Sequence, residues 1–149
     1  MKVNDNEILS GIWISVAKQL PYRATRNYFG NRRGLAPSDD GGMRYATQIC
    51  TAYMSAHIET KLGRGQLLVR VKRLVDSGKL NSEKRVRGSS FWFWLPDSIN
   101  IQVFDRTQEL LASSGMTKEP SSAHYFASLA EKITSTLIAE FGELPEGLQ

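Results

Sequence analysis

Sulfur and histidine are scarce in this chain. A single cysteine, Cys50, among 149 residues excludes an intramolecular disulfide framework and a zinc site built on several thiolates. The two histidines, His57 and His124, stand alone. Neither has a Glu, Asp or Cys at metal-ligand spacing, so each reads as an ordinary packed or exposed imidazole. The longest apolar run, FWFWL at residues 91 to 95, falls far short of the roughly 20 residues that span a bilayer. The opening MKVNDNEILS lacks the basic, then apolar, then small-residue order of a secretory signal, and a cytoplasmic protein is the expectation. Sequence repeats and low-complexity tracts are absent. Gly63-Arg64-Gly65 has neither the preceding strand nor the lysine that a P-loop requires. Asp39-Asp40-Gly41-Gly42 reads as a turn. Cys50, set in an apolar pattern of helical spacing, reads as a small core residue. These residues give no reason to expect an enzyme, a metal or a cofactor.

What the chain has is positive charge concentrated in one place. The net charge is +4, but residues 1 to 60 carry seven basic and five acidic side chains, residues 61 to 89 nine and two, and residues 90 to 149 three and eight. Clustered Lys and Arg on a helix and hairpin suit a phosphate-facing surface, because affinity for duplex DNA comes largely from counterion release. The acidic last third is expected to face away from it.

The basic stretch has a readable local structure. At 100° per residue Leu67, Val71, Leu74 and Gly78 fall in one narrow sector and define a buried stripe, with Gly78 closing the helix. Opposite lie Gln66, Val69, Lys72 and Arg73, with Arg70 on the flank. Lys79-Leu80 then leads into an alternating run that turns at Arg87-Gly88-Ser89-Ser90 and returns as Phe91-Trp92-Phe93-Trp94-Leu95, a hairpin after a helix.

The run from Gly65 to Leu80, GQLLVRVKRLVDSGKL, resembles the recognition helix of PadR-type and MarR-type winged-helix transcription regulators, with apolar core positions, a Lys-Arg-Leu step and a closing glycine followed by a wing. The resemblance spans residues 57 to 95. It departs from those regulators in a shorter turn after Leu62-Gly63 and in apolar residues at Leu68 and Val69. It implies a homodimeric regulator that binds double-stranded DNA.

Elsewhere, Ile8, Leu9, Ile12, Trp13, Val16 and Leu20 recur at helical spacing behind Asp5 as a cap, and Pro21 is expected to stop that helix. Residues 22 to 42 read as a basic loop, with part of it helical as the alternative, in which Arg23, Arg26, Arg32 and Arg33 are either a DNA-contacting arm or ordinary surface charges. From Met43 to Leu62 the apolar positions predict two helices divided near Ser55. After the wing, Asp105 is expected to cap a short helix closed by Gly115, and Ser121 or Ser122 a longer one with a broad apolar face from Tyr125 to Phe141. FWFWL is aromatic on both sides, so either a terminal helix covers Trp92 and Trp94 or these two await a protein partner.

The expected fold is therefore mainly α with a small β-hairpin: a single domain with an N-terminal helix and basic loop (1–42), a winged helix-turn-helix core (43–96) and a C-terminal helical segment that dimerises (97–149). The expected function is sequence-specific duplex-DNA binding in transcription regulation. Gln66 and Arg70 would read base edges, Val69 a thymine methyl, and Arg64, Lys72, Arg73, Lys84, Arg85 and Arg87 would neutralise phosphates, the last three on the wing. The alternative is an adaptor or inhibitor that applies the same basic surface to a protein or nucleoprotein partner.

Overall fold

The computed structural model describes residues 3–30, 49–51, 58, 62–82, 91–115 and 123–149. Its described part is mainly helical, with one small antiparallel sheet. The elements are α1 (Asp5–Gly30), β1 (Ile49–Cys50), α2 (Arg64–Asp76), β2 (Asn81–Ser82), β3 (Trp92–Trp94), α3 (Asp97–Ser113) and α4 (Ala123–Phe141), then a short 3-10 turn at Glu146–Leu148.

Helix α1 is the spine. It packs against both α3 and α4 and also touches α2, burying Ile8, Leu9, Ile12, Trp13, Val16, Ala17, Leu20 and Ala24. Its cap is Asn4 rather than Asp5: the Asn4 Oδ1 accepts the Glu7 N–H at 2.9 Å, while Asp5 and Glu7 occupy the first turn, where the helix dipole favours negative charge.

The helix does not stop at Pro21 but runs on to Gly30, so Arg23 and Arg26 lie in a helix and not in a loop. Arg32 and Arg33 lie outside the described residues. Proline lacks the N–H that would bond the carbonyl four residues back, which here is Ala17. That carbonyl accepts instead from the Thr134 hydroxyl of α4 at 2.9 Å. The tertiary partner supplies what the local sequence removes, and periodicity alone could not foresee it.

Helix α4 lays Phe126, Ala130, Ile133 and Leu137 into the same core. Phe126, Ile133 and Leu137 of the expected apolar face thus pack within the chain, while Leu129 and Phe141 are half-buried. Gly142 ends the helix at φ 81°, a conformation glycine adopts without a Cβ penalty. The Gly142 carbonyl accepts the Trp13 indole N–H at 2.8 Å, so a large buried aromatic on α1 is satisfied by the end of α4.

Helix α3 begins at Asp97 and passes through the exposed Asp105 without a break, which corrects the expected cap at Asp105. Asn100 and Thr107 sit in its buried stripe beside Val103, Phe104 and Leu111 and hide the apolar period. The Thr107 hydroxyl donates to the Val103 carbonyl at 2.7 Å, whereas both side-chain polar atoms of Asn100 are buried without a partner. On the surface, Arg106 forks onto Glu140 of α4 at 2.7 and 2.8 Å and reaches Glu109 at 3.0 Å. The hydrogen bond from Arg106 holds the Glu140 carboxyl below its ordinary pKa. Any stability from this clamp is therefore present above the ordinary carboxylate range and is lost as pH falls through the lowered value.

The sheet has the order β1-β3-β2, all antiparallel. Ile49 pairs with Phe93 and Cys50 with Trp92; Asn81 pairs with Trp94 and Ser82 with Phe93. Thr51 continues the β1 edge, its N–H donating to the Phe91 carbonyl and its hydroxyl accepting the Phe91 N–H, both at 2.9 Å. The expectation of helix across Met43 to Leu62 therefore fails at Ile49 and Cys50, and the buried Ile58 lies in no helix. The division near Ser55 lies outside the described residues. A third strand also explains the aromatic run. FWFWL is the central strand, with Phe91, Phe93 and Leu95 buried and Trp94 only 8% exposed. Of the two tryptophans proposed as a partner platform, Trp94 is covered and Trp92 is half-buried.

Replacing Thr134 by valine keeps the shape but orphans the Ala17 carbonyl. Thr134→Val is expected to lower unfolding free energy by about 1–3 kcal/mol in chemical denaturation. With Pro21→Ala added, the restored N–H at position 21 can satisfy that carbonyl, and the penalty of Thr134→Val should shrink. Equal penalties in both backgrounds would show that the hydroxyl is not the carbonyl's required partner.

Candidate nucleic-acid interface

Helix α2 runs from Arg64 to Asp76 and buries Leu67, Val71 and Leu74, the three residues the periodicity selects. That stripe determines what is left outside. Arg64, Gly65, Gln66, Val69, Arg73 and Asp76 are exposed, and Leu68, Arg70, Lys72 and Val75 are half-buried along the flanks. Val69 is 50% exposed.

The two ends of the helix differ. Gly63 caps the start with extended backbone and no side-chain bond, and no heavy atom lies within 4 Å of where a Cβ would stand on Gly63 or Gly65. The positive end of the helix dipole is left without a carboxylate in its first turn, a setting that favours an approaching anion. At the other end Gly78 takes φ 81°. The Lys79 N–H reaches the Leu74 carbonyl at 2.9 Å and the Gly78 N–H the Val75 carbonyl at 3.0 Å, the bond pair of a Schellman motif. The buried Leu80 follows at once, and β2 starts at Asn81. Gly78 thus sets the angle at which the hairpin leaves the helix.

Gln66, Val69 and Arg73 stand on the exposed side as the sequence predicts, with Lys72 at its edge. Arg64 opens the helix and is exposed. Arg70 is placed differently from a free base reader: its Nη2 donates to the Asp5 Oδ1 of α1 at 2.7 Å, with 23% of the Arg70 side chain and 52% of the Asp5 side chain exposed. Lys84, Arg85 and Arg87, the expected wing contacts, lie outside the described residues. Two carboxylates near this face were not anticipated. Asp76 is exposed in the last turn of α2, where helical geometry carries it toward the Val69 and Arg73 side. Asp5 is 65 residues from Arg70 in sequence, and no local pattern signals their meeting.

The described acidic residues of the last third, Asp97, Asp105, Glu109, Glu131, Glu140, Glu143 and Glu146, are all exposed and belong to α3, α4 and the C-terminal turn. None lies on α2 or the hairpin. Asp97, at the start of α3, nevertheless accepts a hydrogen bond from the Asn81 side chain of β2 at 3.2 Å. Among the described residues no group of three or more His, Cys, Asp or Glu is arranged to hold a metal ion, and no described helix is long and apolar enough to cross a membrane.

Comparison of the chain with protein-family models, curated proteins and solved structures gives no match.

Because open space surrounds the Cβ position of Gly78, the cost of a side chain there is conformational. Gly78→Ala is expected to lower stability by about 1–2 kcal/mol, the penalty of left-handed backbone for an L-residue, as read by thermal or chemical unfolding. A neutral substitution would show that the helix end relaxes freely and that Gly78 does not fix the hairpin.

Proposed function

We propose that this chain is a winged-helix protein that binds double-stranded DNA in a sequence-specific manner and regulates transcription. The observation that carries the reading is the division of α2: an apolar stripe fixed in the core, and an outer side bearing Gln66, Val69 and Arg73 with Lys72 at its margin. A helix so anchored, with a hairpin immediately behind it, suits a groove-reading element flanked by backbone contacts.

The sheet supports the same reading. β2 and β3 form the hairpin expected after a recognition helix, and β1 pins its inner strand to the rest of the protein. Gln66 offers an amide suited to adenine and Val69 an apolar contact for a thymine methyl. Arg70 offers a guanidinium for guanine once it leaves Asp5. Arg64, Lys72 and Arg73 neutralise phosphates, joined by Lys84, Arg85 and Arg87 of the wing. Pairing with a second copy through the C-terminal segment belongs to the same proposal, resting on Leu129 and Phe141 of α4, which are half-buried.

One feature favours the second reading, an adaptor or inhibitor that docks on a protein or nucleoprotein partner. Val69 is exposed on the side of α2 that also carries Asp76, and a carboxylate with an aliphatic neighbour suits a protein surface better than a phosphate backbone. The two readings separate in salt.

Titration of a labelled duplex at several salt concentrations should show affinity falling steeply, and Lys72→Ala with Arg73→Ala should reduce the slope by about 1.8, at roughly 0.9 per phosphate contact. Gln66→Ala should cost about 1–3 kcal/mol on a preferred site and little on random duplex. Absence of duplex binding at low salt would transfer the basic surface to the adaptor reading.

A further inference from the structure

Arg70 is the one proposed base reader whose guanidinium is already engaged. It lies on the flank of α2 that meets the N-terminus of α1, and the Asp5 carboxylate holds it at 2.7 Å. We propose that Asp5 is a specificity-determining residue: it keeps Arg70 off the negatively charged phosphates and yields it to an uncharged base edge that offers two acceptors. This inference rests on the DNA-binding reading given above.

The argument is one of competing partners. A partly exposed ion pair made through a single N–H···O bond is weak, because water and salt screen it and two side chains must be ordered to form it. A phosphodiester can take the fork through its two non-bridging oxygens, but it brings its negative charge beside the Asp5 carboxylate, so exchanging Asp5 for phosphate gains little. The O6 and N7 of guanine accept two parallel bonds from the planar fork, which the observed single contact with Asp5 does not match. Release of Arg70 is therefore favourable at the right base and near neutral elsewhere. Asp5 also places a half-exposed carboxylate beside the face, which disfavours phosphate where the guanidinium has not been claimed. The pair thus suppresses nonspecific binding more than specific binding, which is how an internal competitor raises a ratio of affinities.

Lys72 and Arg73 make a useful contrast. Lys72 is half-buried and Arg73 exposed on the outer side of α2, and in this scheme they grip any duplex. Arg70 is withheld from that general grip.

The test uses the full chain and a pool of random-sequence duplex as probe. Asp5→Asn keeps the size of the side chain and removes its charge. It should raise affinity for the random pool several-fold at low salt and steepen the salt dependence by about 0.9, the signature of one more cation on phosphate. Adding Arg70→Ala should abolish both changes, a reversal that a general effect of Asp5 on the start of α1 would not produce. If Asp5→Asn binds the pool as the parent does, while Lys72→Ala with Arg73→Ala still weakens binding, the DNA-binding reading stands and the role given to Asp5 is wrong. If the parent does not bind duplex at low salt, both fall. If Asp5→Asn gains affinity equally with and without Arg70, the gain comes from removing repulsion alone and the withholding of Arg70 is refuted.

Discussion

The seating of α4 on α1 governs the rest of the structure. A proline at position 21 leaves one carbonyl of α1 without its helical donor, and the Thr134 hydroxyl provides it from the neighbouring helix. The Trp13 indole finds its acceptor at Gly142, just beyond the end of α4, and the Ser10 hydroxyl reaches the Glu143 carbonyl at 2.6 Å. The two helices are thus tied at both the middle and the end by bonds that neither makes alone. Because α1 also meets α3 and α2, its continuity past Pro21 sets the frame on which the basic helix is mounted.

From that frame the outer face of α2 follows with little freedom. Once Leu67, Val71 and Leu74 are fixed in the core, helical geometry leaves Gln66, Val69 and Arg73 outside. The Schellman turn at Gly78 directs the chain into the hairpin, and β1 completes a sheet around the aromatic strand. Among the described residues, exposed negative charge is gathered on α3, α4 and the C-terminal segment, apart from Asp5, Glu7 and Asp76. Asp5 and Asp76 stand on or beside the proposed interface, and for Asp5 the structure shows a partner.

Legibility in the sequence tracks the distance over which the deciding interaction acts. The stripe of α2 and the glycines that end three helices are set by neighbours within a turn or two, and their positions are read correctly from spacing. Pro21 is misread because its compensation comes from residue 134. Ile49 and Cys50 are misread as helix because a two-residue strand has no period of its own and is defined by Phe93 and Trp92. The start of α3 is missed because Asn100 and Thr107 place polar side chains in a buried stripe. At the site, the outward residues of α2 are predictable from the same local geometry, whereas the engagement of Arg70 by Asp5 depends on the docking of α1. The apolar face of α4 is visible in the sequence, but its packing on α1 is not.

The central claim is that the outer side of α2 reads base sequence. Selection of bound molecules from a random duplex pool by the intact chain tests it most directly. The account predicts enrichment of a short common motif, with guanine or adenine at positions whose preference is lost when Arg70 or Gln66 is replaced by alanine. Recovery of a pool with no sequence preference, from a chain that is folded and retains duplex at low salt, would contradict it.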